Sequence, residues 1–354
     1  MIFGMTTSSL LQHWTIFCRV VDNHGDLGVC WRLAAQLAKR GKQVTLYVDD
    51  NSALQWMAPE GCNGVEVLAW PDDHASFVHQ APAQVVIEAF ACELPQGYQA
   101  AMAAWAKVPV WINLEYFSAE PVAERNHGLP SPVLSGPAKG LTKWFFYPSL
   151  SENAGGVLGS GAESLPGLDA NDSAHALRIS LFCYEPASLG LWLKQLSELT
   201  QAVQLSVTAG RATQAVRLAL QGLEQKKELQ VTALPYLSQT DFDHMLGKQD
   251  LNLVRGEDSL VRAIWAGKAF LWQIYPQDDG AHHAKLAAFL KASHAPDVVV
   301  QAHLAWNADH ATCLPVLSPE VLKVWTDWAG ALRDRLGTQT DLLTRLESFA
   351  AAQG

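Results

Sequence analysis

Residues 17–30 read FCRVVDNHGDLGVC, and this stretch decides how the first half of the chain folds. An apolar run over residues 14–21 ends here in glycine and polar residues, and a segment with apolar residues at helical spacing follows at once. A strand, a tight turn and a helix in this order are typical of an α/β unit. Because ligands of open α/β sheets bind just beyond the carboxyl ends of the strands, the sequence predicts that Asp22 and Asp26 lie at a ligand site.

The two acids of this turn have two interpretations. Carboxylates four residues apart across a glycine turn can converge on one point, where they could bind a cation or accept a proton. The turn is not a G-x-G-x-x-G dinucleotide fingerprint, and its acids would repel a pyrophosphate. Aspartate is also a common helix cap, so Asp26 could cap the following helix while Asp22 caps the turn. Spacing alone leaves both interpretations open.

Length and composition restrict the class of protein. A chain of 354 residues favours two domains over one. Its formal charge of −10 argues against a general nucleic-acid binder, although an acidic surface can serve solubility or steer a basic partner. The six cysteines include no C-x-x-C pair, which indicates reduced, mostly buried thiols of a cytoplasmic protein. No apolar run reaches the roughly 18 residues of a membrane span, and no secretory leader is expected.

Both halves of the chain alternate short apolar runs with helical patterns. Runs of Val and Ile without strict polar alternation are typical of parallel strands that are covered on both faces. In the first half we predict strands at 43–48, 65–68, 84–89 and 108–114, a helix at 97–107, and loops over 113–147. The glycine-rich residues 151–173 are the best linker candidate. In the second half we predict strands at 176–182, 203–208, 229–233, 251–254 and 269–274, and helices at 189–199, 214–221, 241–246, 281–291, 319–335 and 340–351, with one more ending near 265.

A second candidate site is the sequence Arg255-Gly-Glu-Asp-Ser259, where a strand gives way to a helix. The backbone N–H groups and the Ser259 hydroxyl could hold a diphosphate at the positive end of that helix. Asp258 could accept a hydrogen bond from a ligand hydroxyl or cap the helix. The stretch could also be an ordinary capped helix start.

A third candidate is the pair Tyr236 and Phe242, which flank Gln239. Two aromatic rings with an amide between them could sandwich a planar base and hydrogen-bond its polar edge. Phe182 and Tyr184, at the end of the first strand of this half, could complete the same pocket. Simple burial in the core is the alternative for each ring.

Taken together, these motifs resemble the EarP family, bacterial protein-arginine rhamnosyltransferases that modify elongation factor P. The shared motifs are DNHGDLG at 22–28, NLEY at 113–116, SLFCYE at 180–185, RGEDS at 255–259, WAGK at 265–268 and IYPQ at 274–277. They occur in order and cover nearly the whole chain outside the 151–173 linker.

The resemblance implies a GT-B glycosyltransferase fold, in which two Rossmann-like domains face a central cleft. Residues 1–160 would bind the acceptor, residues 174–335 would bind the nucleotide sugar, and the C-terminal helix 336–354 would pack back on the first domain. It further implies dTDP-β-L-rhamnose as donor, an arginine of elongation factor P as acceptor, and an inverting reaction without metal or other cofactor. No nucleic-acid or membrane partner is expected.

The resemblance also suggests a role for each site residue. Asp26 is similar to the family's general base, Asp22 to its partner in holding the guanidinium, and Glu257 to a third catalytic acid. The predicted substrate contacts are Asn23, Gly25, Tyr184, Tyr236, Gln239, Phe242, Arg255, Asp258 and Ser259. Tyr236 stands where phenylalanine is expected, a change that keeps the capacity to stack. Two other functions stay open: a GT-B glycosyltransferase with a lipid or small-molecule acceptor, and a non-catalytic nucleotide-binding module.

Overall fold

The computed structural model describes residues 11–21, 24–72, 77, 82–160, 176–222, 227–277 and 280–354. The chain divides into two compact units. The first unit comprises Met1–Gly161 together with Gln339–Gly354, and the second unit comprises Ala162–Thr338. Asp22, Asn23 and most of the predicted linker lie outside the described residues. Within the described ranges, every helix is too short or too polar to cross a membrane.

The described part of the first unit contains a seven-stranded sheet in the order β3-β2-β1-β4-β5-β7-β6. Neighbouring strands are parallel except β6, which is antiparallel to β7. The strands are β1 His13–Cys18, β2 Gln43–Val48, β3 Val65–Ala69, β4 Val85–Ala89, β5 Val110–Leu114, β6 Pro130–Pro132 and β7 Thr142–Phe146. The helices before residue 161 are α1 Gly25–Lys39, α2 Leu54–Met57, α3 Gln96–Ala104 and α4 Pro121–Asn126.

Both faces of this sheet are covered, which explains why its strands lack polar alternation. In β1, Ile16 and Cys18 enter a core shared with α1, whereas Phe17 enters a second core. There the Phe17 ring stacks on Tyr47 at 4.7 Å and meets Tyr98 of α3 edge-on, also at 4.7 Å. The consecutive residues Ile16, Phe17 and Cys18 of β1 are therefore all buried and apolar.

The C-terminal helix α12, Leu342–Gln353, belongs to the first unit. Its residues Leu343 and Leu346 lie in the core that contains α1. At the surface, Arg40 donates hydrogen bonds to Glu347 at 2.6 Å and to Asp341 at 3.2 Å. The apolar contacts supply most of the attachment, because exposed ion pairs contribute little.

The described part of the second unit contains a five-stranded parallel sheet in the order β10-β9-β8-β11-β12. The strands are β8 Leu177–Leu181, β9 Val203–Val207, β10 Leu229–Ala233, β11 Leu251–Arg255 and β12 Ala269–Gln273. The helices are α5 Leu189–Ser197, α6 Arg211–Ala219, α7 Gln239–Gly247, α8 Gly256–Ala266, α9 Ala281–Ala292, α10 Asp297–Trp306 and α11 Pro319–Gly337. Numbered from its own first strand, each sheet begins with the order 3-2-1-4-5 of a Rossmann fold, which confirms the predicted fold class.

Several regions differ from the sequence-based expectation, among them the short helix α2, which was not predicted. Residues 113–147 are not loops throughout, because α4, β6 and β7 lie within them and β7 pairs with β5. Helix α10 was not predicted, and it begins directly after Pro296 with a run of three valines. Three β-branched residues in a row do not indicate a helix, so here tertiary contacts outweigh local propensity.

Helix α10 hydrogen-bonds the outer edge of β12. The Trp272 N–H donates to Nε2 of His303 at 3.1 Å, and the Trp272 carbonyl accepts from Asn307 at 2.9 Å. The Ile274 N–H donates to Oδ1 of Asn307 at 3.0 Å. Two side chains, one on α10 and one at its C-cap, thus replace a neighbouring strand for these backbone groups.

His303 is held in its neutral form by this arrangement. Its side chain is fully buried, and burial lowers its pKa to about 4. Because Nε2 accepts the Trp272 N–H, the ring proton lies on Nδ1, which is 2.9 Å from the Val299 carbonyl. A protonated ring would lose the acceptor that the strand edge needs.

We expect His303→Leu, which removes the titrating ring and offers no acceptor, to destabilise the protein by about 1–3 kcal/mol at pH 7.5, because the buried Trp272 N–H loses its acceptor. The folded-state pKa lies below the ordinary value, so the stability contributed by neutral His303 is present above pH 6.5 and declines as the pH falls towards 4. Urea unfolding should therefore show a gap between wild type and variant that shrinks by up to about 2 kcal/mol at pH 5. The exposed His310→Gln serves as control, and a gap independent of pH would contradict this role of His303.

Candidate functional site

In each sheet, the connections after one pair of adjacent parallel strands lead in opposite directions along the sheet. Ligands of open α/β sheets bind at the carboxyl ends of such a pair. In the first unit this position lies between β1 and β4, and in the second unit between β8 and β11. The turn with Asp26 follows β1, and the turn from Arg255 to Ser259 follows β11. The topology therefore places two of the three predicted motifs where a ligand site is expected.

Asp26 lies in the first turn of α1, where a carboxylate is favoured by the helix dipole. The side chain is 2% exposed, and its Oδ2 accepts a hydrogen bond from the Val21 N–H at 2.9 Å. The N-cap position is occupied by His24, whose side chain makes no capping bond. Asp26 is thus not the N-cap residue, and the Val21 bond fixes the direction of its carboxylate. Asp22 and Asn23 lie outside the described residues, and Gly25 is the first residue of α1.

The buried thiols of Cys30 and Cys18 interact with each other, and Cys30 lies near Asp26. Burial raises the pKa of Cys30 well above its usual value, and a hydrogen bond with Cys18 acts in the same direction. All six cysteines are free, and four of them are buried, as the spacing analysis predicted. A thiol with a raised pKa is a poor nucleophile at neutral pH, so this environment does not favour Cys30 as a nucleophile.

The turn after β4 carries backbone strain that sequence reasoning did not detect. Phe90, Ala91 and Glu93 have φ angles of 57°, 52° and 52°, in the left-handed region that favours glycine. Asn113 accepts the Ala91 N–H at 3.1 Å, and the Phe90 ring stacks on Tyr116 at 4.3 Å. Such strain costs on the order of 1–3 kcal/mol per residue and is common at functional sites. The turn lies beside β1 at the same edge as Asp26.

In the second unit, Arg255 is the centre of an aromatic cluster. Its guanidinium carbon lies 4.4 Å from the ring centre of Phe182 and 4.5 Å from that of Tyr184. Its Nη1 also donates a hydrogen bond to the Cys183 carbonyl at 3.2 Å. These contacts join the end of β11 to the end of β8, the two strands that flank the expected ligand position.

The Arg255 turn is held by Ser259. The Ser259 hydroxyl accepts the Arg255 N–H at 3.2 Å and donates to the Arg255 carbonyl, and the side chain is 4% exposed. Gly256 begins α8 with φ +65°, a value that favours glycine, and its carbonyl accepts from Trp272 Nε1 at 2.8 Å. Glu257 and Asp258 follow in the first turn of α8, and both are half-buried. The first N–H groups of α8 thus lie at a turn that is held by Ser259 on one side and by Trp272 on the other.

The predicted aromatic pair divides into a packed ring and an exposed ring. Phe242 packs edge-on against Phe182 at 5.8 Å, whereas Tyr236 is 59% exposed. Ser238 caps α7 by accepting the Asp241 N–H, so Gln239 is the first helical residue and lies one turn before Phe242. The structure therefore joins Phe242 to the Arg255 cluster through Phe182 and leaves Tyr236 exposed beyond the end of β10.

A buried ion pair holds α7 on α8. Nε and Nη2 of Arg262 donate to the two carboxylate oxygens of Asp243 at 2.9 and 2.8 Å, and Arg262 is 1% exposed. The pair fixes the helix that carries Gln239 and Phe242 against the helix that begins after Arg255. Two further residues, missed by the sequence analysis, adjoin the cluster: Gln273 accepts the Tyr184 N–H at 2.8 Å, and Arg211 lies over the Tyr184 ring. Their positions depend on which strands become neighbours, and no local motif marks them.

The family model described as Elongation-Factor P (EF-P) rhamnosyltransferase EarP matches residues 14–351. The chain belongs to the EarP family. It is therefore a glycosyltransferase of the protein-arginine rhamnosyltransferase kind, and the resemblance found in the sequence is confirmed.

Named relatives of this EarP-family chain cover most of its length. The protein-arginine rhamnosyltransferase of Pseudomonas putida is 42% identical over 84% of this chain and 87% of its own. The protein of the same name from Pseudomonas aeruginosa is 39% identical over 96% of this chain and 99% of its own.

Solved structures agree with this assignment. An EarP structure, described as the basis for EarP-mediated arginine glycosylation of translation elongation factor EF-P, is 28% identical and has a TM-score of 0.58 over 95% of this chain and 97% of its own. The glycosyltransferase VinC in complex with dTDP has a TM-score of 0.53 at 12% identity, over 96% of this chain and all of its own, which shows a shared fold only.

Within the described ranges, one group of side chains has atoms close enough to hold a metal ion. The ligand atoms of His282, His283 and Asp309 lie within 4.8 Å of one another. However, Nδ1 of His282 accepts the Gln277 N–H at 3.1 Å, so a neutral His282 ring carries its proton on Nε2. The ring offers no lone pair to a metal while this bond is present.

We expect Asp243→Ala to lower the free energy of unfolding by about 3–5 kcal/mol, because a guanidinium that is 1% exposed loses its carboxylate. Asp241→Ala, on the exposed side of the same helix, should cost about 1 kcal/mol or less. Urea unfolding followed by tryptophan fluorescence gives both values. Equal losses would show that the buried pair does not hold α7 on α8.

Proposed function

We propose that this protein transfers L-rhamnose from dTDP-β-L-rhamnose to an arginine side chain of elongation factor P. The observation that carries the proposal is the family match over residues 14–351, which includes both ligand positions described above. Relatives named protein-arginine rhamnosyltransferase support the reaction, and the EarP structure described for arginine glycosylation of EF-P supports the acceptor. Since the acceptor is a translation factor, we place the reaction in the cytoplasm.

The acceptor arginine determines what the first unit must do. A guanidinium is protonated at neutral pH and is a poor nucleophile until a base can remove a proton. We assign this role to Asp26, whose carboxylate is buried and fixed in direction by the Val21 N–H. Asp22 is proposed to hold the guanidinium beside it, and Glu257 is proposed as the third catalytic acid. Asn23 and Gly25, which are near Asp26 in the sequence, are proposed to contact the substrate.

The donor would bind at the carboxyl edge of the second sheet. Tyr236 and Phe242 would contact the two faces of the thymine base, and Gln239 would hydrogen-bond its polar edge. Arg255 and the first N–H groups of α8 would hold the diphosphate, with Tyr184 beneath the Arg255 guanidinium. Asp258 would accept a hydrogen bond from a sugar hydroxyl. A direct bond from the Ser259 hydroxyl to a phosphate would replace its bond to the Arg255 carbonyl.

The reaction would be a single inverting displacement. One nitrogen of the arginine attacks the anomeric carbon from the face opposite the diphosphate, while the bond from that carbon to the diphosphate oxygen breaks. Asp26 accepts the proton from the attacking nitrogen, and the negative charge passes to the departing dTDP. Arg255 and the N-terminus of α8 stabilise that charge. The product is α-rhamnosyl arginine, and the proposed steps assign no role to a metal.

Mass spectrometry of elongation factor P, incubated with dTDP-rhamnose and this protein, tests the proposal. We expect a mass increase of one deoxyhexose, located on arginine. Asp26→Asn should lower the rate of transfer by about a hundredfold to ten-thousandfold, because it removes the base, and should leave the affinity for dTDP unchanged.

Glu66→Gln is the matched control, because Glu66 is an exposed acid on β3. It should leave transfer unchanged. No mass increase with the wild-type protein would refute the proposed function. Normal transfer by Asp26→Asn would refute only the assignment of the base.

A further inference from the structure

Arg211 is a cation at the edge of the second sheet that the proposed donor site does not yet use. It is the first residue of α6 and follows Gly210, which has φ +87°. Its Nε donates to Oε1 of Glu185 at 2.8 Å, and its Nη2 donates to Oε2 of the same carboxylate. Its guanidinium carbon lies 5.2 Å from the ring centre of Tyr184.

The ion pair between Arg211 and Glu185 contributes little to stability. The two side chains are 43% and 53% exposed, and pairs at such exposure are largely screened by water. The pair is nevertheless well defined, because two parallel hydrogen bonds fix the plane of the guanidinium. The hydrogen bond from Arg211 lowers the pKa of Glu185, so the carboxylate stays charged at neutral pH. A fixed cation with little stabilising value is better explained by ligand binding than by folding.

Arg211 and Arg255 share one aromatic ring. Both guanidinium carbons lie within 5.2 Å of the Tyr184 ring centre, so one tyrosine at the carboxyl edge contacts two positive charges. An anion bound beside both arginines would be attracted by each of the two charges. Arg255 also adjoins the N-terminus of α8, which attracts anions. A ligand with two adjacent negative groups therefore matches this arrangement best.

The free side of the Arg211 guanidinium points to the same conclusion. Nε and Nη2 are used by Glu185, whereas Nη1 makes no hydrogen bond to any residue in the part of the chain that the structure describes. A guanidinium donates from all three nitrogens, so the Nη1 side can bind a phosphate while the other side stays on Glu185.

We propose that Arg211 binds the diphosphate of the nucleotide-sugar donor and that Glu185 is its positioning residue. The inference rests on the proposed function, because it takes the ligand to be a thymidine diphosphate sugar. It adds a cation from α6 to those at the N-terminus of α8. Both guanidinium groups contact the ring of Tyr184.

Calorimetry with dTDP and with thymidine, on the full chain, tests the role of Arg211. Arg211→Gln should weaken dTDP binding by about tenfold to a hundredfold, the usual range for a hydrogen bond to a charged group, and should leave thymidine binding unchanged. Higher salt should weaken dTDP binding less in this variant than in wild type. Arg217→Gln, an exposed arginine on the same helix, should bind both ligands as wild type does.

Glu185→Gln distinguishes positioning from simple electrostatics. Removing a negative charge near an anion site would by itself tighten dTDP binding, whereas loss of a positioning residue weakens it. We expect weaker binding, and no further weakening when Glu185→Gln is added to Arg211→Gln, since both changes act through one guanidinium. Unchanged or tighter binding of dTDP by Glu185→Gln would overturn the positioning role.

The outcomes separate this inference from the proposed function. If wild type binds dTDP and Arg211→Gln binds it equally well, the role of Arg211 is refuted and the proposed function stands. If Arg211→Gln weakens thymidine and dTDP alike, Arg211 does not bind the diphosphate. If wild type binds no dTDP, the proposed donor itself is refuted. Equal urea midpoints for wild type and variants exclude misfolding as the cause.

Discussion

Parallel strands end at one edge of a sheet, and this constraint determines where the chemistry of both units can lie. In each unit the chain leaves two adjacent strands in opposite directions, so the turns after them flank a gap at the carboxyl edge. Asp26 follows one of these strands in the first unit, and Arg255 is the last residue of one in the second.

At the carboxyl edge of the second sheet, the guanidinium group of Arg255 packs against aromatic rings. Arg255 contacts Phe182 and Tyr184, and Phe182 in turn contacts Phe242. Each cation–π contact contributes about 0.5–2 kcal/mol, so several modest interactions together hold the side chains of the cluster in place. The stronger restraint lies below it, where the buried pair of Asp243 and Arg262 fixes one helix on the other. The aromatic cluster is thus supported by a buried ionic contact.

Local sequence predicted the parts of the fold that depend on local pattern. Strands β2 and β10 occur at the predicted residues, because apolar runs bounded by turn residues mark their ends. Helix α10 was not predicted because its valines do not favour a helix. It is stabilised instead by tertiary contacts, which include the hydrogen bonds of His303 and Asn307 at the edge of β12. Such bonds depend on which elements become neighbours in space.

The candidate site shows the same division. Arg255 belongs to the motif predicted where a strand gives way to a helix, and Phe242 was predicted as one of two aromatic residues that flank Gln239. The structure brings both to Phe182. Arg211 and Glu185 were not assigned, since they lie 26 residues apart and meet only when β8 and β9 pair. The Ser259 hydroxyl, whose predicted contact with a phosphate stays a prediction, also holds the backbone of Arg255, which no motif indicated. The sequence motif at 255–259 predicted the position of the turn but not the hydrogen bonds within it.

The central claim is that the second unit binds the nucleotide while the first unit supplies Asp26 as the general base that accepts the proton. Amide hydrogen exchange of the full chain, with and without dTDP, tests it most directly. The predicted result is slower exchange at 182–185, 236–242 and 255–259 and unchanged exchange at 24–28. Slower exchange confined to 24–28 and the other turns of the first unit would contradict the claim.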